Sequence, residues 1–208
     1  MSIATKHSIY TLLSTKFSTE AINILPKEYK TILTILHLKL GDITQQNVDI
    51  VVNAANKDLL PGGGVCGSIF RAARSRQLLT ECINQAPCSI GEYKKTLGYS
   101  LPSKFIYHTV GPQSMDKKAL MNCYKNCLLG MIEDEMKSIA FPCISTGIYG
   151  FPSDTAADTV GNGLIEWLLE RVENGDEIPD RIILCCFLEK DYQFYLKTFK
   201  NLFDKIIN

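Results

Sequence analysis

From about residue 34 the chain alternates short apolar segments with longer amphipathic ones, an order that few architectures other than a layered α/β sheet accept. Residues 35–40 alternate apolar and polar side chains and stop at Gly41, a strand signature. Residues 49–53 form a β-branched run of the kind buried on both faces of a parallel sheet. Residues 104–110 alternate again and end at Gly111-Pro112. Residues 138–144 and 182–187 read as further buried strands, the first with Pro142 at a bulge or strand end. Between these lie helical patterns. One covers 67–79, with Ile69, Ala72, Ala73 and Leu79 at near-helical spacing, and another covers 117–137, with Leu120, Tyr124, Cys127, Leu128 and Met131 on one face. A third starts at a cap of Ser153 or Asp154 and stops at Asn174-Gly175, and a fourth covers 189–206. This order implies a mostly parallel sheet covered on both faces, with ligands bound where loops leave the strands' carboxyl ends.

Composition narrows the class. With 46% hydrophobic and 21% charged residues in 208, the chain has material for a core, which excludes wholesale disorder. Lys and Arg number 22 and Asp and Glu 22, so no broad basic face is expected and general nucleic-acid binding is excluded. No apolar run reaches the length of a membrane span, and residues 1–17 hold no continuous apolar stretch of the signal-peptide type. The eight cysteines sit mostly inside apolar runs, the usage of reduced thiols, and an intracellular location is expected. Residues 1–33 differ in pattern, with two apolar clusters ahead of Pro26, and read as a small helical extension ahead of a domain over 34–208.

Three loops follow strands and carry the candidate chemistry. In Gly41-Asp42-Ile43-Thr44, the Asp42 carboxylate either accepts from an amine such as adenine N6 or caps the next turn. The second loop runs from Asn53-Ala54-Ala55-Asn56 through Gly62-Gly63-Gly64-Val65-Cys66-Gly67 into a helix. Three consecutive glycines are entropically costly as a spacer. They allow close backbone approach to an anion at the helix N-terminus, and Asn56 is placed to bind a sugar hydroxyl. The third, Ser145-Thr146-Gly147-Ile148-Tyr149-Gly150-Phe151, again suits a phosphate cradle, with aromatic side chains to cover a sugar or base; the alternative is a tight turn with two buried aromatics. Two such loops at neighbouring strand ends favour a diphosphate held between them.

In order and spacing, GDIT, VDIVVNAAN, GGGV followed by I-x-R-A-A, HTVGP and ISTGIYGFP resemble the macrodomain family, most nearly its branch of MacroD-type ADP-ribosylhydrolases. The resemblance covers about four-fifths of the chain, from about Leu38 to Phe203. It implies a three-layer α/β/α sandwich around a mixed, mostly parallel sheet, binding ADP-ribose at the strand ends. Carried over residue by residue, Asp42 takes the adenine amine, Ile43 lines the adenine site and Phe187 lies against the base. Asn56 holds hydroxyls of the distal ribose, while Gly63, Gly64 and Val65 follow the diphosphate and distal ribose. Ser145, Thr146, Gly147, Ile148 and Tyr149 form the second phosphate loop. Asn56, Cys66 and Tyr149 are the candidate catalytic residues. The activity implied is hydrolysis of mono-ADP-ribose from modified protein side chains, or of O-acetyl-ADP-ribose, by a monomer without a metal or other cofactor.

Two departures bear on that expectation. The MacroD branch carries GGGVDG, with an aspartate that activates or holds the attacking water; here Cys66 takes its place, as in some viral macrodomains. A thiol, with a pKa of about 8.5, is a poorer general base at neutral pH than a carboxylate. Phe70-Arg71 stands where the branch has His-Arg. A non-catalytic reader of ADP-ribose or mono-ADP-ribosylated proteins is therefore the alternative. A zinc-dependent macrodomain is the third reading, although the glycine loop offers only Cys66 as a ligand. The remaining features read as structural: Cys123, Cys127, Cys185 and Cys186 as core thiols, His108 as a strand residue, Trp167 as helix packing, and Glu133-Asp134-Glu135 as a solvated face.

Overall fold

The computed structural model describes residues 7–9 and 25–207, with residues 7 and 8 described by backbone alone. In chain order the elements are β1 (His7–Ser8), α1 (Lys27–Ile35), β2 (Leu36–Leu40), β3 (Ile50–Ala55), α2 (Gly64–Ala73), α3 (Arg76–Gln85), β4 (Tyr93–Leu97), β5 (Phe105–Val110), α4 (Lys117–Glu133), β6 (Ser138–Phe141), α5 (Ser153–Asn174), β7 (Arg181–Cys186) and α6 (Glu189–Ile207). The strands form one sheet in the order β1-β2-β7-β6-β3-β5-β4. The β2, β7, β6, β3 and β5 strands run parallel, and the two edge strands are antiparallel.

Alternation along each strand divides the core into two. On β3, Ile50 and Val52 point to one face, while Val51 and Ala55 point to the other. The first face packs against α1, α4, α5 and α6, through residues such as Leu33, Leu128, Leu164 and Phe199. The second packs against α2 and α3 through Ile69, Ala73, Leu78 and Cys82. The result is a three-layer α/β/α sandwich around a mixed, mostly parallel sheet. Cys123 and Cys127 face the larger core, and Trp167 is buried on α5.

The structure departs from the sequence reading at several places. The helix expected over 67–79 is two helices: Arg74 takes a left-handed φ of 50°, and Ser75 starts α3 by accepting from the Leu78 amide at 3.4 Å. The β4 edge strand has no counterpart in the expected elements, because its Lys94 and Lys95 give it a polar, weakly alternating pattern suited to an edge. Neither Ser153 nor Asp154 caps α5; Pro152 holds the N-cap position, and the Asp154 side chain accepts from Thr155 within the first turn. Phe187 lies one residue beyond the end of β7.

Helix α1 crosses the boundary drawn at residue 33 and enters β2 without a linker. Within the stretch 1–33, β1 pairs with β2, and Ile9 and Leu25 join the larger core. Most of the apolar residues on which the helical-extension reading rests, Tyr10, Leu12, Leu13, Ala21, Ile22 and Ile24, lie outside the described residues. At the end of the sheet away from the carboxyl termini, Asp49 ties β3 to β6. Its carboxylate accepts from the Lys137 and Ser138 amides and the Ser138 hydroxyl, and pairs with Lys104 at 2.8 Å. Burial opposes the charge, but these donors outweigh it and hold the Asp49 carboxyl down at about 2.

Candidate functional site

The carboxyl ends of β2, β3, β5, β6 and β7 open on one cleft of about 690 Å³, within the size range of small-molecule sites. The loop after β2 supplies Asp42 and Ile43, and the loop after β3 supplies Asn56 and then Gly63, Gly64, Val65 and Cys66. The loop after β6 supplies Ser145, Thr146, Gly147, Ile148 and Tyr149, and Phe187 enters from the end of β7. All thirteen residues singled out from the sequence thus line a single cavity.

The two glycine loops face each other across it. A Cβ built on Gly63 would lie 3.0 Å from Ile148 Cδ1, so the loops meet over the cleft. Gly64 opens α2 with a φ of +58°, which other residues adopt with strain. Gly67 lets the helix approach the loop, since a Cβ there would fall 2.4 Å from the Gly62 carbonyl oxygen. The first-turn amides of α2 are thereby presented at the cavity, a geometry suited to an anion. In the second loop, Ser145 holds a φ of 67°, and its buried hydroxyl has no hydrogen-bond partner. Strain and an unsatisfied polar group at the same residue are characteristic of a ligand site. Phe151 is buried, and Tyr149 is half-exposed on the cleft. Ile148 is 80% exposed and Phe187 78% exposed, so each offers apolar surface that a ligand can cover.

Of the two readings weighed for it, Asp42 shows the turn cap in its hydrogen bonds. Its Oδ1 accepts from the Thr44 amide at 2.9 Å and the Thr44 hydroxyl at 2.8 Å, which fixes the turn. The residue also lines the cavity. Asn56 is likewise fixed by its loop: its Nδ2 donates to the Leu60 carbonyl at 2.7 Å, and its Oδ1 accepts from the Leu60 amide at 3.1 Å. An amide has two N–H donors and two acceptor lone pairs, so one of each remains for a ligand.

Cys66 is buried beneath the glycine loop at 4% exposure. Its thiol is 3.7 Å from the same Leu60 carbonyl, to which it donates. From behind, Asn53 Nδ2 donates to Cys66 Sγ at 3.6 Å and also meets His108 Nδ1 at 3.0 Å. His108 Nε2 in turn lies 2.9 Å from the Thr96 hydroxyl and 3.7 Å from Cys82 Sγ. This amide orientation makes Nδ1 an acceptor and leaves the imidazole proton on Nε2. Burial lowers the His108 pKa to about 4, so the ring is neutral at pH 7, and burial also raises the Cys82 thiol to about 12. His108 is therefore part of a buried polar chain behind the site, as its structural reading expects.

Sequence reasoning passed over Asn53, Ser68, Arg71, Cys143, Cys185, Leu188 and Asp191. All but Asn53 line the cavity, and Asn53 backs it. For Asn53 a signal was present, a polar residue at the end of an otherwise apolar strand run. Cys143 and Cys185, read as reduced thiols, have separate partners: Cys143 Sγ lies 3.6 Å from Cys186 Sγ, and Cys185 Sγ donates to the Gly41 carbonyl at 3.5 Å. Among the described residues no group of three or more His, Cys, Asp or Glu side chains is arranged to hold a metal, and no helix is long and apolar enough to cross a membrane.

The Macro domain family profile matches residues 52–160. Human ADP-ribose glycohydrolase MACROD2 is 47% identical over 180 residues, covering 84% of this chain and 41% of that protein. A macro domain-containing protein of Chlorobaculum tepidum is 44% identical over 169 residues, covering 79% of this chain and 95% of that protein. The chain spans about two fifths of the length of the MACROD2 proteins it matches. Among solved structures, the Trypanosoma brucei macrodomain in complex with ADP-ribose superposes with a TM-score of 0.75 at 36% identity, covering 80% of this chain and 70% of that one.

Proposed function

The chain belongs to the Macro domain family, and on that premise we propose that its cleft binds ADP-ribose and hydrolyses mono-ADP-ribose from modified protein side chains, or the related ester O-acetyl-ADP-ribose. The observation that carries the reading is the pair of glycine loops meeting across one cavity at Gly63 and Ile148, with Asn56 and Tyr149 at the same place. The name of the human relative, an ADP-ribose glycohydrolase, and the ADP-ribose bound by the trypanosomal neighbour support it.

In this reading the diphosphate lies between the two loops, held by backbone amides rather than by basic side chains, which agrees with a chain of zero net charge. Adenine sits between Asp42 and Ile43 on one side and Phe187 on the other. Asn56 directs its free N–H and lone pair at the distal ribose, and Tyr149 covers that sugar. Water then adds at C1″ as the bond from C1″ to the side-chain oxygen breaks, and an Asp- or Glu-linked side chain leaves as its carboxylate. The proton lost by the water passes by way of the substrate phosphate oxygen to solvent. Cys66 has its proton directed at Leu60 and is shielded from solvent, so it is poorly placed as a base. Rate enhancement falls instead to positioning and to the amide field around the diphosphate, with a substrate phosphate oxygen orienting the water. The natural partners are mono-ADP-ribosylated proteins, met inside the cell by a monomer.

The same burial of Cys66 favours the second reading, a non-catalytic reader. Calorimetric titration with ADP-ribose, followed by incubation with an Asp/Glu-linked mono-ADP-ribosylated protein, separates the two. Binding with release of the label supports the hydrolase, whereas tight binding without release leaves the reader.

A further inference from the structure

Asp191, in the first turn of α6, follows Phe187 by about one helical turn and lines the same cavity as Phe187 and Cys143. Cys143 leads into the second glycine loop and its Sγ lies 3.6 Å from Cys186 Sγ, beside which Asp191 sits. It is 7% exposed, yet Oδ1 has no hydrogen-bond partner, and among the described residues no Lys, Arg or His pairs with the carboxylate. The N-terminal turn of α6 favours a negative charge there but leaves the oxygen unsatisfied. A buried carboxylate oxygen without a donor is costly, by roughly 1–3 kcal/mol or more, and on a residue that lines a cavity it points to a missing ligand donor.

Given the nucleotide reading above, on which this step rests, the part of ADP-ribose between adenine and diphosphate is the adenosine ribose. Its 2′ and 3′ hydroxyls are neighbouring donors, and a carboxylate accepts from such a diol as the acidic residue of dinucleotide folds does from a ribose hydroxyl. We propose that Asp191 accepts from the adenosine ribose diol and makes the cleft selective for ligands in which that diol is unmodified. A 2′-phosphate at this place sets like charges together in a water-poor site, and a 2′-deoxy ligand leaves the carboxylate unsatisfied.

The test is a calorimetric panel of ADP-ribose, its 2′-phosphorylated form and its 2′-deoxy form against wild-type protein and Asp191→Asn, with melting temperatures as the control for folding. Wild-type protein is expected to bind ADP-ribose at least about tenfold tighter than either analogue. In Asp191→Asn the penalty for the 2′-phosphate is expected to shrink to within about threefold, since the like charge is gone. A merely structural Asp191 would lower affinity for all three ligands in proportion and leave the ratios unchanged. Wild-type protein that binds all three alike overturns the role of Asp191 while leaving the nucleotide site standing, and does so even if the variant fails to fold. Wild-type protein that binds none of them overturns the nucleotide reading itself, and this inference with it.

Discussion

Asn53 donates from its side-chain amide to the thiol of Cys66 at 3.6 Å, so this cysteine of the glycine loop is held from inside the sheet. With its proton directed at Leu60 and 4% of its surface exposed, the thiol is packed as a small buried group. Cys66→Ala is expected to keep single-turnover hydrolysis within about threefold of wild type, because little general-base work is lost. Cys66→Asp, which puts a carboxylate beside the proposed distal ribose position, is expected to raise the rate. A loss of a hundredfold in Cys66→Ala, with ADP-ribose binding intact, would make the thiol itself the catalyst.

Asp42 gives a cleaner test of ligand orientation. Asparagine at this position retains an Oδ1 to accept from the Thr44 amide, so the turn survives. In the proposed pose, however, the second carboxylate oxygen becomes an N–H donor facing the adenine amine. Asp42→Asn is therefore expected to weaken ADP-ribose binding about tenfold at an unchanged melting temperature. Equal affinity for wild type and variant, measured by calorimetry, would place adenine elsewhere in the cleft.

His108 sets a pH dependence of stability whose sign follows from burial. Its folded pKa is about 4 against 6.5 for the free side chain, so the unfolded chain binds the proton more tightly. The neutral ring's contribution is complete above pH 6.5 and is lost as pH falls toward 4. Between pH 7 and pH 5 this one group is expected to cost on the order of 2 kcal/mol. Urea unfolding at the two pH values checks it: His108→Gln should show a smaller drop than wild type by that amount. Identical drops in both proteins would mean the ring is solvated or already charged in the folded state.

The glycine loops were legible because their evidence is local: a run such as Gly62-Gly63-Gly64 before a helix, or Ser145-Thr146-Gly147 after a strand, constrains its own backbone. Strands buried on both faces, such as β3, were legible from their β-branched content. What escaped depends on partners far away in sequence. Asn53 and His108 become neighbours only once β3 lies beside β5 in register, and their hydrogen bond then links Cys66 to Thr96 on the edge strand. That edge strand, with Lys94 and Lys95, has too polar a pattern to announce itself. Asp191 reads in sequence as an ordinary acidic residue in a helix's first turn; its missing partner is visible only when the cleft is assembled. The break at Arg74 was hidden because α2 and α3 both turn apolar faces to the same core and so preserve a near-helical spacing across it.

Asn56 joins the loop to the proposed chemistry, since its amide is anchored on Leu60 and retains one donor and one acceptor for the distal ribose. The most direct measurement is single-turnover release of labelled ADP-ribose from an Asp/Glu-linked mono-ADP-ribosylated protein, by wild-type protein and by Asn56→Ala, with ADP-ribose affinity measured in parallel. Release by wild type, falling at least about a hundredfold in the variant while binding falls less than about tenfold, is the predicted result. Tight ADP-ribose binding by wild type with no release of label would contradict it.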